Sequence, residues 1–227
     1  MEIYVMRHGT TQWNKLKKLQ GRSDIPLDED GRELARNCRD GMKHIHFDKC
    51  YSSPLKRAYE TAEIILEGRD IPIICDERLT EVSFGSFEGR SNEGTGPRGN
   101  AGRDAAAAAV SGGSGTACAE TCFTAALPVS DFSTPPGGEP VEALLSRTKA
   151  FYEELISNPE NEKLTILLSM HGASGRALML NAWGGTSFWH GCVPKNCTCC
   201  IVKLKEGIIQ EIVQDAVFYH GSVEDYF

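Results

Sequence analysis

The chain has 227 residues, 41% apolar and 24% charged, which is enough apolar material for a core and excludes wholesale disorder. With 24 Lys and Arg against 31 Asp and Glu, the net charge is −7. That is the reverse of the basic surplus of a nucleic-acid or anionic-membrane protein, so neither partner is expected. No apolar run approaches the roughly 18 residues that span a bilayer, and Met1–Met6 has an acid where a signal peptide has bases. The chain therefore reads as cytoplasmic, with its nine cysteines expected as free thiols, many of them buried.

Ile3–Met6 is a short unbroken apolar run and predicts a strand buried on both faces, ending at Arg7-His8-Gly9. Asp28 is placed to cap a helix whose apolar face is Leu34, Cys38, Met42 and Ile45. Phe47–Tyr51 predicts a second strand. Ser53-Pro54 then predicts a helix cap with proline at the first helical position. Ile71–Cys75 is a third strand with a short acidic helix after it. Glu139-Pro140 opens a helix with Val141, Leu144, Leu145, Phe151 and Leu155 on one face. Leu164–Met170 is a fourth buried strand, ending at His171-Gly172, with a helix beyond it through Leu178 and Trp183. Thr198–Leu204 and Ile208–Val213 predict a closing hairpin over Lys205-Glu206-Gly207. The alternation predicts an α/β fold with a mainly parallel central sheet and helices on both faces.

Residues 91–134 break this texture. They are crowded with Gly and Ala, including the run Ala105–Ala109, and lack aliphatic periodicity. Two readings fit: a flexible surface insertion in one domain spanning 1–227, or a local reading-frame error in the gene. The alanine run permits a short helix over 103–110.

His8 and His171 both end strong strand candidates, and both precede glycine. Ligands of open α/β sheets bind outside the carboxyl ends of the strands, where helix N-termini offer free N–H groups to phosphate. Arg7 adds a planar fork suited to phosphate oxygens, and Arg57 sits one turn inside the helix after another strand. Two arginines, two histidines and a helix N-terminus make a phosphoryl site; the competing reading is a pair of structural histidines. His190-Gly191 and His220-Gly221 lack a clean strand and a neighbouring arginine, although Val217-Phe218-Tyr219 makes His220 a partial rival. Gly94–Gly99 spells a dinucleotide fingerprint but follows no strand. Cys192, Cys197, Cys199, Cys200 and the Cys118/Cys122 pair are too irregularly spaced for a zinc site, so no metal is expected.

Met6-Arg7-His8-Gly9-Thr10-Thr11-Gln12-Trp13-Asn14 resembles the signature of the histidine phosphatase superfamily, which includes cofactor-dependent phosphoglycerate mutases and small phosphatases. Gln20–Leu27, Ser52–Ala58, Leu79–Gly89, Pro135–Glu139 and Ser169–Gly172 resemble its further motifs in the expected order, with Pro140 where serine is usual. The resemblance covers the chain except 91–134.

It implies a phosphoglycerate mutase-like fold and a phosphohistidine on His8, attacking as neutral imidazole with its other nitrogen held by a hydrogen bond. Arg7, Arg57 and His171 would surround the phosphoryl oxygens. Glu81, at the rim, would protonate the leaving alcohol and then activate water. Asn14 would be a secondary phosphate contact, with Gln20, Gly21 and Gly172 near the substrate. The leading expectation is a phosphomonoesterase of a small phosphorylated metabolite that needs no metal or cofactor. The alternatives are a cofactor-dependent phosphoglycerate mutase and a non-catalytic phospho-ligand binder on the same fold. The sequence leaves the substrate and the oligomeric state open.

Overall fold

The computed structural model describes residues 1–91, 134–184 and 193–220. The expectations placed on 92–133, including the helix at 103–110, lie outside them, as do Cys118, Cys122, His190 and Cys192.

A six-stranded sheet carries the fold, in the order β3-β2-β4-β1-β5-β6. Its strands are β1 (Glu2–Arg7), β2 (Lys49–Ser52), β3 (Ile73–Cys75), β4 (Thr165–Met170), β5 (Cys199–Lys205) and β6 (Ile208–Ala216). The pairs β1–β4, β4–β2 and β2–β3 are parallel, and β5 and β6 close one edge antiparallel. The sheet is thus mainly parallel with an antiparallel hairpin on one edge. In the register of β1 and β4, Arg7 stands opposite Met170. The residues that follow continue the ladder, His8 N–H donating to Met170 O at 3.0 Å.

Side chains alternate between two cores, one on each face of the sheet. Tyr4 and Met6 of β1 join Leu167, Cys199 and Ile201 on one face. The helices α2 (Glu29–Gly41) and α3 (Lys56–Ile65) cover that face with Leu34, Cys38, Ala62 and Ile65. Ile3 and Val5 join Ile166, Leu168, Met170 and Cys200 on the other, covered by α4 (Val141–Ser157) and α5 (Gly172–Trp183) through Phe151, Leu155 and Leu178. Each fully buried Leu, Ile or Phe contributes about 1.5–3 kcal/mol relative to exposure. Cys199 and Cys200 face opposite cores, so one ion cannot take both as ligands.

Asp28 caps α2 as expected, its carboxylate accepting Gly31 N–H at 2.8 Å, with Glu29 and Asp30 in the first turn. Ile45 lies beyond the end of α2, yet it packs into the same core. The acidic helix after β3 is a single 3-10 turn, Glu77–Leu79. Ser53 does not cap α3: the helix begins at Lys56, after Leu55. Lys56 N–H is instead taken by Asp24 Oδ1 at 2.8 Å, and Ser53 has other partners. Trp13 lies in the four-residue helix α1 (Gln12–Lys15), with Lys18 over its ring. Among the described residues no helix is long and apolar enough to cross a membrane.

Candidate active site

Three neighbouring strands deliver the site. Arg7 ends β1 and His8 follows it; Ser53 follows β2, with Arg57 in the first turn of α3; His171 follows β4. Because β2, β4 and β1 are adjacent and parallel, all four sequence-predicted residues meet at their carboxyl edge. The His8 and His171 rings are 5.1 Å apart, centroid to centroid. His8, Arg57 and His171 are almost fully buried, at 3%, 0% and 1% exposure, so their hydrogen bonds decide their chemistry.

His8 Nδ1 lies 2.6 Å from Gly9 O, which can only accept. On the other side of the ring, Arg57 Nε, which can only donate, lies 3.3 Å from His8 Nε2. Nδ1 therefore carries the proton and Nε2 keeps its lone pair. Burial, then the charges of Arg57 and Arg7, hold the His8 pKa well below the usual histidine value, so the ring is neutral near pH 7. Asn196 supports it by donating Nδ2–H to both His8 O at 2.8 Å and Gly9 O at 3.1 Å.

Arg57 is aimed by its remaining donors. Nη1 bonds Ser23 O at 2.8 Å, and Nη2 bonds Gly21 O at 2.7 Å. Burial lowers its pKa to about 10, so it remains a cation at neutral pH. Arg7 Nη1 bonds Pro194 O at 2.7 Å, while its buried Nε has no partner among the described residues. His171 Nε2 lies 2.8 Å from Ser53 Oγ, and its buried Nδ1 likewise lacks a partner. Burying such groups unpaired costs about 1–3 kcal/mol each.

Glu81 is buried at 8% exposure rather than standing on an open rim. Its carboxylate sits at the N-terminus of α5, accepting Ser174 N–H at 2.9 Å, Ala173 N–H at 3.1 Å and its neighbour Val82 N–H at 2.9 Å. Glu81 lies within electrostatic reach of both Arg7 and Arg57. Asn14 spends its Oδ1 on Thr11 N–H in the capping box of α1. Gln20 is buried, with Oε1 3.0 Å from the Thr11 hydroxyl. Gly172 begins α5 with its Cα against Arg7: an added Cβ would lie 3.7 Å from Nε. His220, the partial rival, is exposed beyond β6.

Sequence reasoning passed over a supporting layer. Glu88 accepts Arg22 N–H at 3.0 Å, Ser23 N–H at 2.8 Å and Phe84 N–H at 3.1 Å, together with the Ser23 hydroxyl. Burial alone would raise its pKa, but these bonds outweigh it and hold the carboxyl below the ordinary value. Glu88 thereby pins the loop whose carbonyls aim Arg57. Gly21 must be glycine: its φ is +54°, and a Cβ would collide with the Glu88 carboxylate. Arg147 and Arg22 both pair with Glu139, at 2.8 and 3.2 Å, and both donate to Glu81 O. In the sequence Leu79–Gly89 reads as a single motif, with a role given to Glu81 and none to Glu88.

The sequence model of the histidine phosphatase superfamily (branch 1) matches residues 3–112 and 122–213, and the chain belongs to that superfamily. It is thus an enzyme of the histidine phosphatase type, whose relatives are phosphatases or mutases. It is 30% identical over 181 residues to a 2,3-bisphosphoglycerate-dependent phosphoglycerate mutase of Cytophaga hutchinsonii, covering 79% of this chain and 76% of that one. Over 87 residues it is 41% identical to the uncharacterized phosphatase PhoE of Bacillus subtilis, covering 38% of this chain and 45% of that one. The structure of a phosphoglycerate mutase from Bacillus anthracis superposes with a TM-score of 0.72 at 25% identity, covering 96% of this chain and 94% of that one.

Proposed function

We propose that the chain is a phosphomonoesterase acting on a small phosphorylated metabolite through a phosphohistidine on His8, without a metal or cofactor. The observation that carries the reading is the fixed tautomer of His8: a donor-only and an acceptor-only partner leave Nε2 as a buried, neutral nucleophile between two arginines. In the first step the Nε2 lone pair forms a bond to phosphorus. The P–O bond to the alcohol breaks, and the leaving oxygen takes a proton from protonated Glu81. In the second, water attacks phosphorus, the N–P bond breaks, and Glu81 takes the proton from water. Arg7, Arg57 and His171 offset the charge on the transferring group. Asn14, Gln20, Gly21 and Gly172 frame the substrate, Gly21 by holding Arg57 through its carbonyl. The net charge of −7 and the free thiols among the described residues fit a cytoplasmic enzyme without nucleic-acid or membrane partners.

A second reading, a phosphoglycerate mutase, is favoured by the Cytophaga relative. A mutase must hold a second anionic group with unpaired cations. Among the described residues near this site, Arg22 and Arg147 already share Glu139, which supports hydrolysis. The test is an assay of phosphate release from sugar phosphates, phosphoglycerates, nucleotides and cobalamin-pathway phosphates, run beside 3-phosphoglycerate isomerisation. Phosphate release with an acid-labile label that His8→Asn abolishes supports the phosphatase. Isomerisation without release supports the mutase. No label and no turnover across the panel would leave a phospho-ligand binder.

A further inference from the structure

His171 and Ser53 form a second buried pair whose proton positions can be worked out. Ser53 is fully buried, and its Oγ accepts Leu55 N–H at 3.3 Å. A hydroxyl has one proton to give. Among the described residues the acceptor in reach of Ser53 Oγ is His171 Nε2, at 2.8 Å. If the imidazole instead donated from Nε2, the serine proton and the Nδ1 lone pair would both be stranded in a buried site. With the serine donating, Nε2 is a satisfied acceptor and the ring proton moves to Nδ1. Nδ1 is the buried atom left without a partner, on a ring 5.1 Å from that of His8.

We propose that Ser53 is a positioning residue that fixes His171 as the neutral Nδ1–H tautomer, so that His171 donates to the phosphoryl group without being charged. The phosphoryl part of this rests on the function proposed above; the tautomer does not. The surroundings agree with a neutral ring: burial, then the charges of Arg57, His8, Arg7 and Arg147, hold the His171 pKa well below the usual value. The two histidines then divide the work through the same tautomer. His8 turns its bare Nε2 to phosphorus, and His171 turns its protonated Nδ1 to a phosphoryl oxygen. In the wrong tautomer His171 would present a lone pair to an anion.

The test reads the tautomer directly. Long-range proton–nitrogen-15 correlations on the full chain at pH 7 distinguish protonated from bare ring nitrogens, and the His171 signals are those missing from His171→Gln. The expected result is a protonated Nδ1 and a bare Nε2. In Ser53→Ala the signals shift toward a tautomer mixture, and affinity for inorganic phosphate falls roughly tenfold, the loss of one aimed donor of about 1.4 kcal/mol. Ser53→Thr, which keeps the hydroxyl, retains the tautomer. A wild-type His171 protonated at Nε2, or at both nitrogens, overturns the proposal, and so does an unchanged tautomer in Ser53→Ala. Failure of the wild type to bind phosphate, with the tautomer as stated, would count against the proposed function and leave the assignment of Ser53 standing.

Discussion

Arg57 donates its Nε–H to Nε2 of His8 across 3.3 Å, so the cation that would stabilise the transferring group already touches the atom that would attack it. This contact keeps Nε2 unprotonated, and in the proposed reaction the guanidinium would move from that nitrogen to a phosphoryl oxygen. Arg57→Lys keeps a charge but loses the fork held by Ser23 O and Gly21 O. The expected outcome is a loss of kcat on the order of 100–1,000-fold, with a smaller change in KM. Steady-state kinetics check it, and a loss below threefold would show that the fork is dispensable.

The histidines also make folding pH-dependent. Both folded-state pKa values lie well below the unfolded value of about 6.5. Below that pH the unfolded chain binds protons that the folded site refuses, so stability is full above about 6.5 and falls as pH drops toward the folded values. The slope is at most about 1.4 kcal/mol per pH unit for each histidine. Denaturation midpoints from pH 7.5 to 5 should fall in the wild type and fall less in the double variant His8→Asn, His171→Gln. Parallel curves would show that other groups carry the acid sensitivity.

Glu88→Gln tests the support beneath Arg57. One side-chain oxygen would become an amide facing backbone N–H groups, at a stability cost of about 1.5–3 kcal/mol. Because the loop also aims Arg57, kcat should drop between tenfold and a hundredfold. Thermal melts and kinetics are read together: a stability loss with unchanged kcat would separate this carboxylate from the site.

Gly21→Ala places a side chain at positive φ and against Glu88. The backbone alone costs about 1–3 kcal/mol. Melting should fall and Arg57 should lose its Nη2 anchor, so activity drops with stability. Gly68→Ala is the control: it too has positive φ, but nothing lies within 4 Å of the added carbon, so it should lose stability while keeping kcat.

Chelation tests the proposed independence from metal. In the proposed reaction two arginines supply the charge and His8 the nucleophile, so turnover should be unchanged after dialysis against EDTA. Activity lost to chelator and restored by zinc or magnesium would point to a metallophosphatase instead.

Much of this was legible in the sequence because its causes are local. Asp28 before a 3.6-residue apolar rhythm could only start a helix, and Ile3–Met6 and Leu164–Met170 carried the unbroken apolar runs of strands between two cores. Arg7, His8 and His171 were legible because they stop those runs. Ser53 was misread because Ser-Pro is a real local signal for a helix cap, yet tertiary structure overrode it: Asp24 took the helix N–H, and His171 took the hydroxyl. Glu88 and Asn196 act across 65 and 188 residues of chain, on backbone groups that leave no trace in composition or spacing. The burial of Glu81 depended on the N-terminus of α5, more than 90 residues away.

The pairing of Arg7 with Met170 settles more than the edge of a ladder. Each histidine is the next residue on its own strand, so the gap between them is gauged by hydrogen-bonded backbone and not by any loop. Slipping one strand by a single residue would displace one ring by about 3.3 Å and turn it to the opposite face. Connections between the strands can lengthen, shorten or change composition without detuning that gap. New selectivities can therefore be tried at the periphery while the spacing of the two rings stays inherited with the sheet.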